Sequence, residues 1–135
     1  MVLLVAGIAA GVLYLVFSMF LMGPILGSYL VGVPGMNANP ATMWVVVGEL
    51  CGGLVLAAVY ARTRSIFGVG LKGGATYGVY AAVLVHFPLW LQMSVYVGWP
   101  YGAAWAMTIA GLVLTTIAGA LIGLVYEKMG PPKAA

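Results

Sequence analysis

The chain has 135 residues, of which 64% are hydrophobic and 5% charged, and its mean hydropathy is +1.16. Ordinary globular domains carry about a quarter charged residues, so a soluble domain is excluded and an integral membrane protein is the class that fits. The net charge of +3 is too small and too scattered for a nucleic-acid surface, and the single cysteine, Cys51, cannot form an internal disulfide and reads as a small buried apolar residue.

A membrane-crossing helix takes about 20 apolar residues. Four stretches qualify, predicting spans over residues 2–31, 41–61, 73–97 and 103–126 of a single transmembrane domain. The first opens Met1-Val2-Leu3-Leu4-Val5 with no positive residue ahead of it. Its apolar run continues through Tyr14, Phe20 and Leu30, so it reads as a retained span and not a cleaved signal. Ahead of the second span, Asn39 is a plausible N-cap with Pro40 at the first helical position. Gly98-Trp99-Pro100-Tyr101-Gly102 turns the chain between the last two spans.

Charge placement orients the spans. Arg62, Arg64 and Lys72 fall in the middle connection, and Lys128 and Lys133 follow the last span. By the positive-inside rule the middle connection and both termini are cytoplasmic. Trp44, Trp90, Trp99 and Trp105 then gather near the opposite interface with Tyr29, Tyr96 and Tyr101, as half of an aromatic belt.

Small residues recur at helical spacing. Gly7 and Gly11, Gly23 and Gly27, Gly48 and Gly52, Gly74 and Gly78, and Gly119 and Gly123 are small-xxx-small pairs, which let helix backbones approach where lipid supplies no hydrophobic drive. Their number predicts a tight bundle with packing surface to spare for a second copy or for other membrane subunits. The halves also show a weak tandem repeat. The run from Gly52-Gly53 to Tyr60 aligns with that from Ala118-Gly119 to Tyr126, and Ala6-Gly7 with Gly11 matches Gly73-Gly74 with Gly78. Two-helix units repeated in this way share orientation and are related by an axis along the membrane normal.

Glu49 is the acidic residue within a span, where a carboxylate costs about 2.5–3.5 kcal/mol unless paired, protonated or wetted. It lies 13 residues from Arg62, His86 lies 14 from Lys72, and Thr115 lies 13 from Lys128. At about 1.5 Å per residue these groups share one depth, with Ser18 at a similar height on the first span. Two readings of this polar layer stand: a proton-binding pair or small ligand site using Glu49 and His86, or interhelical glue worth about 0.6 kcal/mol per hydrogen bond. Met19, Met22 and His86 make a poor copper site, and no nucleotide loop, paired catalytic carboxylates or Cys-x-x-Cys is present. Neither a metal, a cofactor nor an enzymatic activity is expected.

The segment Met22-Gly23-Pro24-Ile25-Leu26-Gly27 at the end of the first span, with Gly68-Val69-Gly70-Leu71-Lys72-Gly73-Gly74-Ala75 before the third, resembles a family of small four-span bacterial membrane proteins of unknown function. That resemblance implies a bacterial inner-membrane location and supplies no catalytic residues. These readings converge on an all-α integral membrane four-helix bundle with both termini cytoplasmic. It would act as a homo-oligomer or as an accessory subunit of a larger membrane complex. The alternative is a proton-coupled or small-solute transporter using the Glu49/His86 layer.

Overall fold

The computed structural model describes residues 1–27, 32–33 and 41–130. Helix α1 spans Val2–Phe20 and leads into a π-helical turn, Leu21–Ile25; α2 spans Thr42–Phe67, α3 Gly70–Tyr96 and α4 Tyr101–Met129. No strand occurs among the described residues. All four helices are long and apolar enough to cross a membrane.

The helix ends differ from the predicted spans, each for a local reason. The regular turns of α1 stop at Phe20, short of the predicted residue 31. Pro24 supplies no N–H to the carbonyl four residues back, and the chain widens so that Leu26 N–H donates to Leu21 O at 2.7 Å. Residues 28–31 and the Asn39–Pro40 cap lie outside the described residues, as do Tyr29 and Lys133. At the other end α2 continues past residue 61 to Phe67. Its 26 residues, the 27 of α3 and the 29 of α4 reach about 39–44 Å, against a hydrocarbon core of about 30 Å. Arg62, Arg64, Lys72 and Lys128 therefore sit on helix ends long enough to project into water, and no charged loop exists there. The true link between α2 and α3 is Gly68-Val69. It can be that short because Gly68 and Gly70 take φ of 87° and 83°, which side-chain-bearing residues rarely adopt.

On α1 large apolar side chains face outward and small ones inward, which lets its backbone approach its neighbours. Leu4, Ile8, Val12 and Val16 of α1 are exposed, whereas Ala6, Gly7, Ala10 and Gly11 are buried. The helices form two hairpins, α1 on α2 and α3 on α4, joined chiefly by α1 against α4.

The two hairpins are built alike. A Cβ on Gly11 would lie 2.8 Å from Leu50 Cα and 3.1 Å from the Glu49 carbonyl oxygen; one on Gly78 would lie 2.8 Å from Thr116 Cα and 2.6 Å from the Thr115 carbonyl oxygen. Gly53 would meet Gly11 Cα at 2.7 Å, and Gly119 would meet Gly78 Cα at 2.7 Å. The sequence repeat is thus also a repeat of contacts, in which Glu49 and Thr115 occupy equivalent places. Tyr60 and Tyr126 are a further equivalent pair and meet edge to face at 5.4 Å.

Not every predicted packing glycine packs. Gly7, Gly11, Gly74, Gly78, Gly119 and Gly123 all lie against backbone of a neighbouring helix, but Gly48 and Gly52 are exposed with nothing within 4 Å of an added Cβ. The α2 contact is made instead by Gly53, one position on, because α1 crosses that face. Gly23 lies within the π-helical turn, with Gly27 just beyond it. Cys51, expected to be buried, is exposed on the same open side of α2.

Candidate functional site

The α2–α3 contact breaks the likeness of the hairpins. By the repeat it should match α1 against α4, yet α2 and α3 meet closely only at the charged end of the bundle. Aromatic rings join them there: Tyr60 to Tyr77 at 5.2 Å, Phe67 to Tyr77 at 5.6 Å and Phe67 to Tyr80 at 5.6 Å. Two phenol hydroxyls tie the same end, Tyr60 donating to Gly68 O and Tyr77 to Leu56 O, both at 2.8 Å. Arg64 lies over the Tyr126 ring, 5.6 Å from its centroid.

Beyond this closure the helices leave a cleft of about 1010 Å³. Val55 and Val59 of α2 and Val79, Val83 and Leu84 of α3 form its apolar walls. Exposure of these valines and of Leu84 marks it as open to the side, between the helices. Its lining also holds polar groups, Glu49, His86, Thr115 and Tyr14, at the end away from Phe67.

The predicted polar layer is assembled, but in pairs that differ from the expected one. Ser18 Oγ of α1 donates to Glu49 Oε1 of α2 at 2.6 Å. His86 Nε2 of α3 lies 2.9 Å from Thr115 Oγ1 of α4. Glu49 and His86 are not hydrogen-bonded to each other, so the expected direct pair is replaced by two pairs lining one cleft. Tyr14, on α1 four residues before Ser18, bonds the second pair, its hydroxyl donating to Thr115 Oγ1 at 2.9 Å.

Hydrogen-bond inventory fixes the imidazole tautomer. Trp90 Nε1–H donates to His86 Nδ1 at 3.2 Å, so Nδ1 is an acceptor and the ring proton resides on Nε2, which donates to Thr115. Thr115 Oγ1 then accepts twice, from Tyr14 and from His86. The ring is held from below as well, since a Cβ on Gly111 would fall on His86 Cγ and Nδ1. For Glu49, Ser18 is the one hydrogen-bond partner among the described residues, which leaves Oε2 uncommitted at the cleft. No cluster of three or more His, Cys, Asp or Glu occurs among the described residues.

Tyr14 and Gly111 are site residues that pattern reading missed. Tyr14 lies four residues before Ser18 and Gly111 four before Thr115, the spacing that stacks side chains on one helix face. The tryptophans divide. Trp99, expected at the interface, is buried and stacks on Trp90 with centroids 5.6 Å apart, beside Ala103 and Met107. Trp44 and Trp105 face outward, Trp105 edge-on to Phe87 at 6.0 Å.

The chain matches no protein-family model, no curated protein and no solved structure.

Proposed function

We propose that this protein is a membrane-embedded carrier of a small molecule, proton-coupled or solute-specific, whose binding site is the α2–α3 cleft and whose polar anchor is Glu49. One observation carries the reading: an apolar cleft of about 1010 Å³ ends on a carboxylate oxygen that has no partner among the described residues. Binding sites of this kind are mostly apolar, with a few convergent polar groups. A mid-span carboxylate held only as glue would be expected to have both oxygens satisfied, because each unmet polar atom is costly in hydrocarbon.

The accessory-subunit reading drew its support from surplus glycine pairs. Three of those five pairs are consumed inside the hairpins, and Gly48 and Gly52 are open. That weakens the case for a partner and leaves the cleft as the main unexplained feature. The likeness to four-span bacterial membrane proteins, and with it an inner-membrane location, rests on the Gly-Pro segment at the π-helical turn and on the stretch over residues 68–75.

Native mass spectrometry of the protein released from lipid nanodiscs tests the reading. A small-molecule adduct, lost in Glu49→Gln while the chain stays folded, is the expected result. Stoichiometric protein subunits in place of any adduct would return the accessory role.

A further inference from the structure

We infer that the occupant of the cleft is a lipophilic amine, a single ammonium group on an apolar body, which enters sideways from the bilayer. The inference rests on the reading of the cleft as a ligand site and adds the chemical class.

Charge complementarity makes the choice. Glu49, which lines the cleft, offers an acceptor oxygen, Oε2, and no cationic side chain among the described residues reaches it. The cationic side chains among the described residues, Arg62, Arg64, Lys72 and Lys128, are all at the far end, about 20 Å along the helix for Arg62. Ser18 already donates to Oε1, so what the carboxylate lacks is a donor and, when ionised, a positive charge. An ammonium supplies both in one group, forming a charge-assisted hydrogen bond in surroundings of low dielectric. One N–H would point at Oε2, while the Tyr14 hydroxyl, whose proton goes to Thr115, keeps its oxygen lone pairs on the same cleft for another. An anionic head would meet the carboxylate with like charge, and a neutral hydroxyl would leave that charge uncompensated.

Shape sets the rest. The cleft wall on α2 runs from Glu49 to Phe67, about 27 Å along the helix axis. Apart from Thr63 it is apolar beyond Glu49, which suits an alkyl or aryl body. Water-soluble solutes have no polar path along these walls. The route between α2 and α3 is closed by rings only at the charged end, so entry is lateral.

Cys51 is the chain's own reporter. It is exposed, lines the cleft and stands two residues from Glu49. The full-length protein in phosphatidylcholine nanodiscs is treated with N-ethylmaleimide, and Cys51 alkylation is followed by intact mass. Three probes of matched shape compete: 4-phenylbutylamine, 4-phenylbutanol and 4-phenylbutyrate. The amine should halve the alkylation rate at a concentration lower than the alcohol by about tenfold or more, the scale of one charge-assisted hydrogen bond. The carboxylate should protect least. Glu49→Gln should erase the preference for the amine, and Glu49→Asp should keep it.

Equal protection by amine and alcohol, or protection by the carboxylate, would overturn the amine assignment and leave the cleft standing as a ligand site. These comparisons need only the wild-type chain, so they hold even if a variant fails to fold. Protection by none of the probes, together with ready Cys51–Cys51 cross-linking in membranes, would replace the ligand with a second copy of this chain and overturn both readings.

Discussion

Gly52→Ala and Gly53→Ala, at adjacent positions of α2, should change stability in opposite directions. An added methyl at Gly52 enters open space and meets nothing within 4 Å, so only helix propensity acts. Ala is favoured over Gly inside a helix by about 0.5–1 kcal/mol. The same methyl at Gly53 would sit 2.7 Å from Gly11 Cα, about 0.7 Å inside the 3.4 Å at which ordinary contact begins, and would also strike the Gly7 carbonyl oxygen and the Gly11 nitrogen. These are backbone atoms, which cannot rotate away, so α1 and α2 must separate. A gap of about 0.5–1 Å forfeits a quarter to a half of each dispersion contact along the interface. In lipid those contacts are the main source of helix association. Overpacking of this kind costs about 1–3 kcal/mol. With the propensity gain subtracted, Gly53→Ala should lose about 1–2 kcal/mol while Gly52→Ala gains a few tenths to about 1. Unfolding in mixed micelles with increasing SDS, followed by helical circular dichroism, measures both. Gly119→Ala, the counterpart of Gly53 in the second hairpin, should behave like Gly53→Ala. Equal stability of Gly52→Ala and Gly53→Ala would refute the assignment of the α1–α2 interface.

Gly111→Ala should push the His86 ring off its seat and break its bonds to Thr115 and Trp90; the tryptophan emission of the variant should shift, and an unchanged spectrum and unchanged stability would argue against the ring's placement. Tyr14→Phe removes the α1–α4 hydrogen bond and should cost about 0.6 kcal/mol, the average for interhelical bonds in membranes, measurable in the same SDS titration; a loss of several kcal/mol would mean that the hydroxyl does more than bridge. Glu49→Gln retains an acceptor for Ser18 and should leave folding within about 1 kcal/mol of wild type, while abolishing any pH-driven flux in proteoliposomes. Cysteines placed at Arg62 and Tyr101 should label from opposite sides of the membrane; Tyr101 is the better reporter than Trp99, being 69% exposed where Trp99 is 7%. Labelling of both from one side would overturn the topology.

Class and span number were legible in the residues because they depend on a one-dimensional quantity, the length of apolar runs. The shared depth of Ser18, Glu49, His86 and Thr115 was legible for the same reason, since depth follows from counting along a helix of known rise. The glycine pairs of α3 and α4 could be named from spacing, and they pack on each other.

What a helix faces is a different matter. Helices α2, α3 and α4 are apolar all round, so no amphipathic face announces which side turns to a neighbour. Only the assembled bundle decided that Gly53 and not Gly52 meets α1, and that Cys51 lies open. It also decided that Trp99 turns inward onto Trp90. The pairing of Glu49 with Ser18 and of His86 with Thr115 came from the lateral order of the helices, which puts α1 against α4 and leaves α2 and α3 joined only by the aromatic contacts near Phe67. Counting along one chain cannot supply that order, because the contacts that set it are backbone approaches between residues far apart in sequence. The cleft is the clearest case. It exists because two hairpins of like construction join closely on one side only.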